Sequence, residues 1–76
     1  MDSKEFIKNL ASQFDDIESA DLQMSTQFKK LEEWSSLVAL SVIAMVDEEY
    51  NVAIKGDDIR NSETIEDLYE IVKGKL

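Results

Sequence analysis

The apolar residues of this chain are grouped, and each group has its own period. Phe6, Ile7, Leu10, Ala11 and Phe14 recur at i, i+1, i+4, i+5 and i+8, the spacing of one helical face. Asp2 or Ser3 can cap that helix, and Glu5 lies in its first turn, where a carboxylate meets the positive end of the helix dipole. Asp15 and Asp16 are weak helix formers and mark its end. The pattern predicts a first helix from about Ser3 to Phe14.

The densest apolar run is central. Between Leu37 and Val46 only Ser41 is polar; Trp34, Ser35 and Ser36 precede the run, and Asp47, Glu48, Glu49 and Tyr50 follow it. Ser35 is placed to act as N-cap, its hydroxyl accepting from a backbone N–H one turn in. Ser36 then takes the first helical position, exposed at the mouth of the helix, where anionic groups are favoured. The predicted helix runs from about Ser36 to Glu49 or Tyr50. It is apolar nearly all round, which is more than a surface helix needs. Either it is the central helix of a bundle, or part of its face is an exposed docking surface, with Val38 and Ala39 as the leading candidates.

Further on, Ile65, Leu68, Tyr69 and Val72 repeat at i, i+3, i+4 and i+7, predicting a helix from Thr64 to Lys73. Ser62 or Thr64 can cap it, and Lys73, Gly74 and Lys75 supply its cationic end and glycine stop. Gly56, Asp57 and Asp58 predict a turn and a short helix around Asp58 to Arg60. A strand at Val52 to Ile54 would have no second strand to pair with. Asp15 to Glu33 is a long connection whose Ile17, Leu22, Met24, Phe28 and Leu31 are spaced to pin it across a bundle, with Phe28 and Leu31 able to share one turn. The predicted fold is all-α: a small four-helix bundle, three main helices plus one short, with a long first loop. It forms a single domain over residues 1–76.

Composition narrows the chemistry. The chain has no cysteine, no histidine and no proline. Disulfides and intrinsic thiol chemistry are therefore excluded, and the commonest general base and metal ligand are missing. Neither serine of the Ser35-Ser36 pair has a histidine to activate it, so a hydrolytic enzyme is disfavoured. Asp57 and Asp58 lack the spaced oxygen ligands of a calcium loop, and no metal site is expected. Net charge is −9, from 17 acids against 8 bases. That disfavours nucleic acid as a partner and favours proteins with basic patches. No run approaches the roughly 20 apolar residues of a membrane span, and Met-Asp-Ser-Lys-Glu does not read as a signal peptide. The expectation is a cytoplasmic monomer with a thin core.

Over nearly its whole length the chain resembles an acyl carrier protein. The family has this order of helices and this long first loop, and a serine, usually in Asp-Ser-Leu or Asp-Ser-Met, opens its second helix. The matching residues here are Ser35-Ser36-Leu37, followed by the apolar helix and its Asp47-Glu48-Glu49-Tyr50 end. Phe28 and Leu31 look like the anchors of the family's first loop. Ile54 and Thr64-Ile65-Glu66-Asp67-Leu68 look like the approach to its last helix and the start of it. The resemblance implies that Ser36 carries 4′-phosphopantetheine as a phosphodiester, with an acyl or aminoacyl group held as a thioester on the arm. It implies a shuttle rather than an enzyme. Its partners would be a phosphopantetheinyl transferase and acyl-processing or acyl-transferring enzymes with basic docking patches, engaging Ser35, Leu37, Val38, Asp47, Glu48 and Glu49.

The chain also departs from the family pattern. Ser35 stands where an aspartate is usual, and Val38 and Ser41 where acids often occur early in the second helix. Trp34 resembles carriers with Trp-Asp-Ser-Leu at this place, and a core anchor closing the loop over the second helix is its alternative reading. Together these imply a specialised carrier, with apolar recognition near the serine and electrostatic recognition about two turns away. Met45 is flexible enough to make room for an acyl chain, or it is ordinary core filling. Two other readings stay open: a carrier-like fold without the arm that only binds proteins, and an unrelated acidic helical adaptor presenting Trp34, Val38 and Ala39.

Overall fold

The computed structural model describes residues 1–76. It is a small all-α bundle: α1 (Ser3–Ala11), α2 (Ser36–Tyr50), the short α3 (Gly56–Arg60) and α4 (Ile65–Gly74), with single 3₁₀ turns at Ser19–Asp21 and Phe28–Lys30 in the long first loop. No segment forms a strand; Val52 and Ile54 are buried within an irregular link between α2 and α3. No helix is long and apolar enough to cross a membrane.

The helix ends follow local chemistry. Asp2 caps α1 by accepting from the Lys4 amide at 3.1 Å. That helix stops at Ala11, short of the predicted Phe14, because the chain tightens: the amides of Gln13 and Phe14 donate to Leu10 and Ala11, three residues back. Phe14 is buried all the same. α2 ends on Asn51, the one residue with positive φ, at 55°; asparagine tolerates this left-handed geometry. α3 begins at Gly56, two residues before the predicted start. Asp58 folds back to accept from the Lys55 amide at 2.9 Å and closes its first turn.

At α4 all four orphan amides of the first turn are satisfied. Thr64 Oγ1 accepts from Asp67 N, and Asp67 Oδ2 accepts from Thr64 N. The long loop supplies the other two acceptors: Thr26 O for Ile65 N at 3.0 Å and Met24 O for Glu66 N at 2.9 Å. Ser62, the other predicted cap, is instead fully buried and donates to the Asp58 carbonyl at 2.8 Å.

Sixteen buried apolar residues form one cluster. α1 gives Phe6, Leu10 and Ala11, α2 gives Val42, Met45 and Val46, and α4 gives Ile65, Leu68, Tyr69 and Val72. Phe6 ties three helices together, edge-on to Tyr69 at 5.5 Å between centroids and tilted against Tyr50 at 6.0 Å. Asn9 donates to the Tyr50 hydroxyl at 3.0 Å, while burial pushes that phenol's pKa up. Leu22 and Phe28 bring the long loop into the same cluster. No buried side-chain polar atom lacks a partner.

Two predictions follow from this packing. Phe28→Ala removes a fully buried ring and is expected to cost about 3–5 kcal/mol in urea unfolding, whereas Leu37→Ala, at an exposed position, should stay within about 0.5 kcal/mol. Comparable losses would mean that α2 buries the opposite face. The second concerns Asp67, whose carboxylate accepts from the amides of Thr64 and Glu63 and is held below the ordinary aspartate range by those bonds. A lowered folded pKa gives stabilisation that is complete above the ordinary value and lost as pH falls through the lowered one. Asp67→Asn should therefore lower the melting temperature at neutral pH, with the deficit shrinking in acid. A deficit independent of pH would show that the cap does not use the charge.

Candidate functional site

Ser35 and Ser36 lie at the open end of α2. Ser35 is the N-cap, in extended backbone, and its Oγ accepts from Val38 N at 3.2 Å while its carbonyl takes Ala39 N at 2.9 Å. The first two amides, of Ser36 and Leu37, have no partner within the protein. Ser36 is the first helical residue and is exposed, so its hydroxyl stands free where first-turn N–H groups face outward. At α4 the chain closes the helix mouth with its own carbonyls; at α2 it leaves the mouth to solvent.

Beside Ser36 opens a cleft of about 590 Å³ between the first half of α2 and α3, within the size range of small-molecule sites. Its apolar wall is Trp34, Ala39, Leu40, Ile43 and Ile59. Ser35, Ser36 and Gly56 form the polar edge, and Lys29 and Arg60 are its charged residues. Arg60 pairs with Asp57 one turn earlier on α3, and Lys29 Nζ donates to the Arg60 carbonyl at 2.9 Å. Trp34 is both anchor and lining: it stacks edge-on with Phe28 at 5.1 Å and tilts against Phe14 at 6.4 Å, while another part of it faces the cleft. Glu33 holds the preceding turn, accepting from the amides of Asp15 and Asp16. Met45 belongs to the core and does not line the cleft.

The outer face of α2 matches the predicted one in part: Leu37, Asp47, Glu48 and Glu49 are exposed as expected. Val38 and Ala39 are half-buried and pack against the core. The exposed apolar residues are Leu37 and Leu40, at 77% and 64% exposure. With exposed Ala44 they form a stripe at i, i+3 and i+7 that runs into exposed Asp47 and Glu48. The run from Leu37 to Val46 is too uniformly apolar to show which side faces inward; only packing against α1 and α3 decides it. Ser41 is half-buried and donates to the Gln13 side chain. Asp47, Glu48 and Glu49 sit at the C-terminal end of α2, which has no basic residue in its last turn, so they oppose the helix dipole at a cost of a few tenths of a kcal/mol or more each. The sequence places Trp34, Ser35, Ser36 and Ala39 at the site but not Leu40, Ile43 or the α3 residues of the lining, nor Lys29, which no periodic pattern singles out. No group of three or more His, Cys, Asp or Glu side chains is arranged to hold a metal ion.

No protein-family model, curated protein or solved structure matches the chain. The site thus rests on its own geometry.

The two serines have separable roles. Ser35→Ala is expected to lower stability by about 1 kcal/mol through loss of the cap, and Ser36→Ala to leave stability within about 0.5 kcal/mol, both read from thermal unfolding. A larger loss at Ser36 would shift the cap by one residue.

Proposed function

We propose that this chain is an acyl carrier protein, a monomeric cytoplasmic shuttle rather than an enzyme, with 4′-phosphopantetheine attached to Ser36. The observation that carries the reading is the exposed Ser36 hydroxyl at the open mouth of α2, on the edge of an apolar cleft. The prosthetic group would supply the thiol that the chain lacks, holding an acyl or aminoacyl group as a thioester. What the chain's own residues contribute is placement. The free amides of Ser36 and Leu37 favour a phosphate ester on the Ser36 oxygen. Ser35 keeps the helix start rigid, and Trp34, Leu40, Ile43 and Ile59 offer an apolar surface beside it.

Attachment requires no base from this protein. The Ser36 oxygen forms the new bond to phosphorus, adenosine 3′,5′-bisphosphate leaves from coenzyme A, and the transferase takes the proton. The stripe of Leu37, Leu40 and Ala44, leading to Asp47 and Glu48, suits partners with an apolar pocket flanked by basic residues. The same exposed leucines, with Ser35 in place of an acid, favour a second reading: a carrier-like module that docks on proteins without an arm.

Incubation with a phosphopantetheinyl transferase and coenzyme A separates the two. The carrier reading expects an intact-mass gain of one arm, mapped to the Ser36 peptide, abolished by Ser36→Ala and retained in Ser35→Ala. An unchanged mass would support the armless module, and loss of the label in Ser35→Ala would move the attachment site by one residue.

A further inference from the structure

The chain has eight basic residues. Seven are exposed; Lys29 alone is half-buried, and it lines the cleft. No carboxylate lies within ion-pair distance of it, since the protein's one ion pair joins Arg60 to Asp57. Its single partner is a neutral carbonyl, that of Arg60 at 2.9 Å. An ammonium has three donors, so two remain free on a cation that stands between this cleft and a polar one lined by Gln27, Lys30 and Glu63. The second charged residue of the lining is Arg60, and no acid lines the cleft. In a protein of net charge −9, the lining of this one apolar cleft carries charge of the opposite sign.

A plain alkyl chain gives such a cation nothing. We infer that the cleft receives a linear acyl group ending in a carboxylate, the half-thioester of a dicarboxylic acid. Trp34, Leu40, Ile43 and Ile59 cover its methylenes, and Lys29, with Arg60 beside it, takes the terminal carboxylate. The inference rests on the carrier reading for delivery of the ligand, but the cleft's preference for an anionic end belongs to the folded chain itself. Asp57 already engages Arg60, so Lys29 is the residue that decides between charged and neutral cargo. Its one hydrogen bond, to the Arg60 carbonyl, leaves the ammonium two donors with which to meet an arriving carboxylate.

The test uses the unmodified protein and two free ligands of equal length, the N-acetylcysteamine thioesters of adipate and of hexanoate. Trp34 is the only tryptophan and lines the cleft, so its emission reports occupancy. The adipoyl thioester is expected to bind about three- to fivefold more tightly than the hexanoyl one at low salt, with the ratio falling as salt screens the pair. Lys29→Met should bring the ratio to one, Lys29→Arg should keep it, and Lys30→Met, at an exposed neighbour outside the cleft, should leave it unchanged. Circular dichroism verifies that each variant folds. Equal or reversed affinities, a ratio insensitive to Lys29→Met, or no Trp34 response to either ligand would overturn the inference. A phosphorus chemical shift on the loaded protein that moves with Lys29→Met, without any cargo preference, would instead assign Lys29 to the phosphodiester and also overturn it. The two readings fail separately: a cleft preference without transferase labelling of Ser36 removes the carrier and keeps the cleft, and labelling without preference does the reverse.

Discussion

Two hydrogen bonds, from Ile65 N to Thr26 O and from Glu66 N to Met24 O, hold the long loop against the first turn of α4. Much else depends on that strap. The bonds satisfy the two α4 amides that Thr64 cannot reach. They bring Leu22 and Phe28 over the core, so that a mostly polar connection contributes to the same cluster as the helices. Phe28 then supports Trp34 edge-on, and Lys29 next to it reaches the end of α3. The cleft beside Ser36 is thus bounded on one side by a loop that is held by the start of α4, a few residues beyond the end of α3. In a chain too short for a deep core, such backbone pairing does work that apolar area alone would do in a larger domain.

α2 has to satisfy two demands. Val42, Met45 and Val46 are buried, while Leu37 and Leu40 are left in water. Its charges run against its own dipole, with no acid at the start and three acids at the end. Neither feature helps the helix to form. Both fit the docking surface proposed for this helix, since local rules of stability are most often broken at functional sites.

Much of this was legible in the sequence. The period of the apolar residues located α1, α2 and α4, and the capping chemistry of Ser35 placed the start of α2; of the two caps open for α4, Ser62 and Thr64, the chain uses Thr64. The early end of α1 was not legible, because Phe14 keeps the helical period while its backbone has already tightened. Nor was the orientation of α2 fully readable: a helix apolar on all sides does not say which residues face out, so Leu37 was expected at the partner surface but Leu40 was not, and Val38 and Ala39 are only half-exposed. Lys29 escaped notice for a different reason. Its importance lies in a contact with Arg60, 31 positions away, and no local pattern encodes it.

α3 is one turn and a half long and buries a single helical residue, Ile59. It nevertheless forms a wall of the cleft through Gly56, Ile59 and Arg60. Local opening free energies scale with the apolar contact and protected hydrogen bonding that each segment holds. By that measure the wall is cheaper to displace than α1, α2 or α4. The cleft therefore has one thin side, rooted within α3 by Ile59 alone.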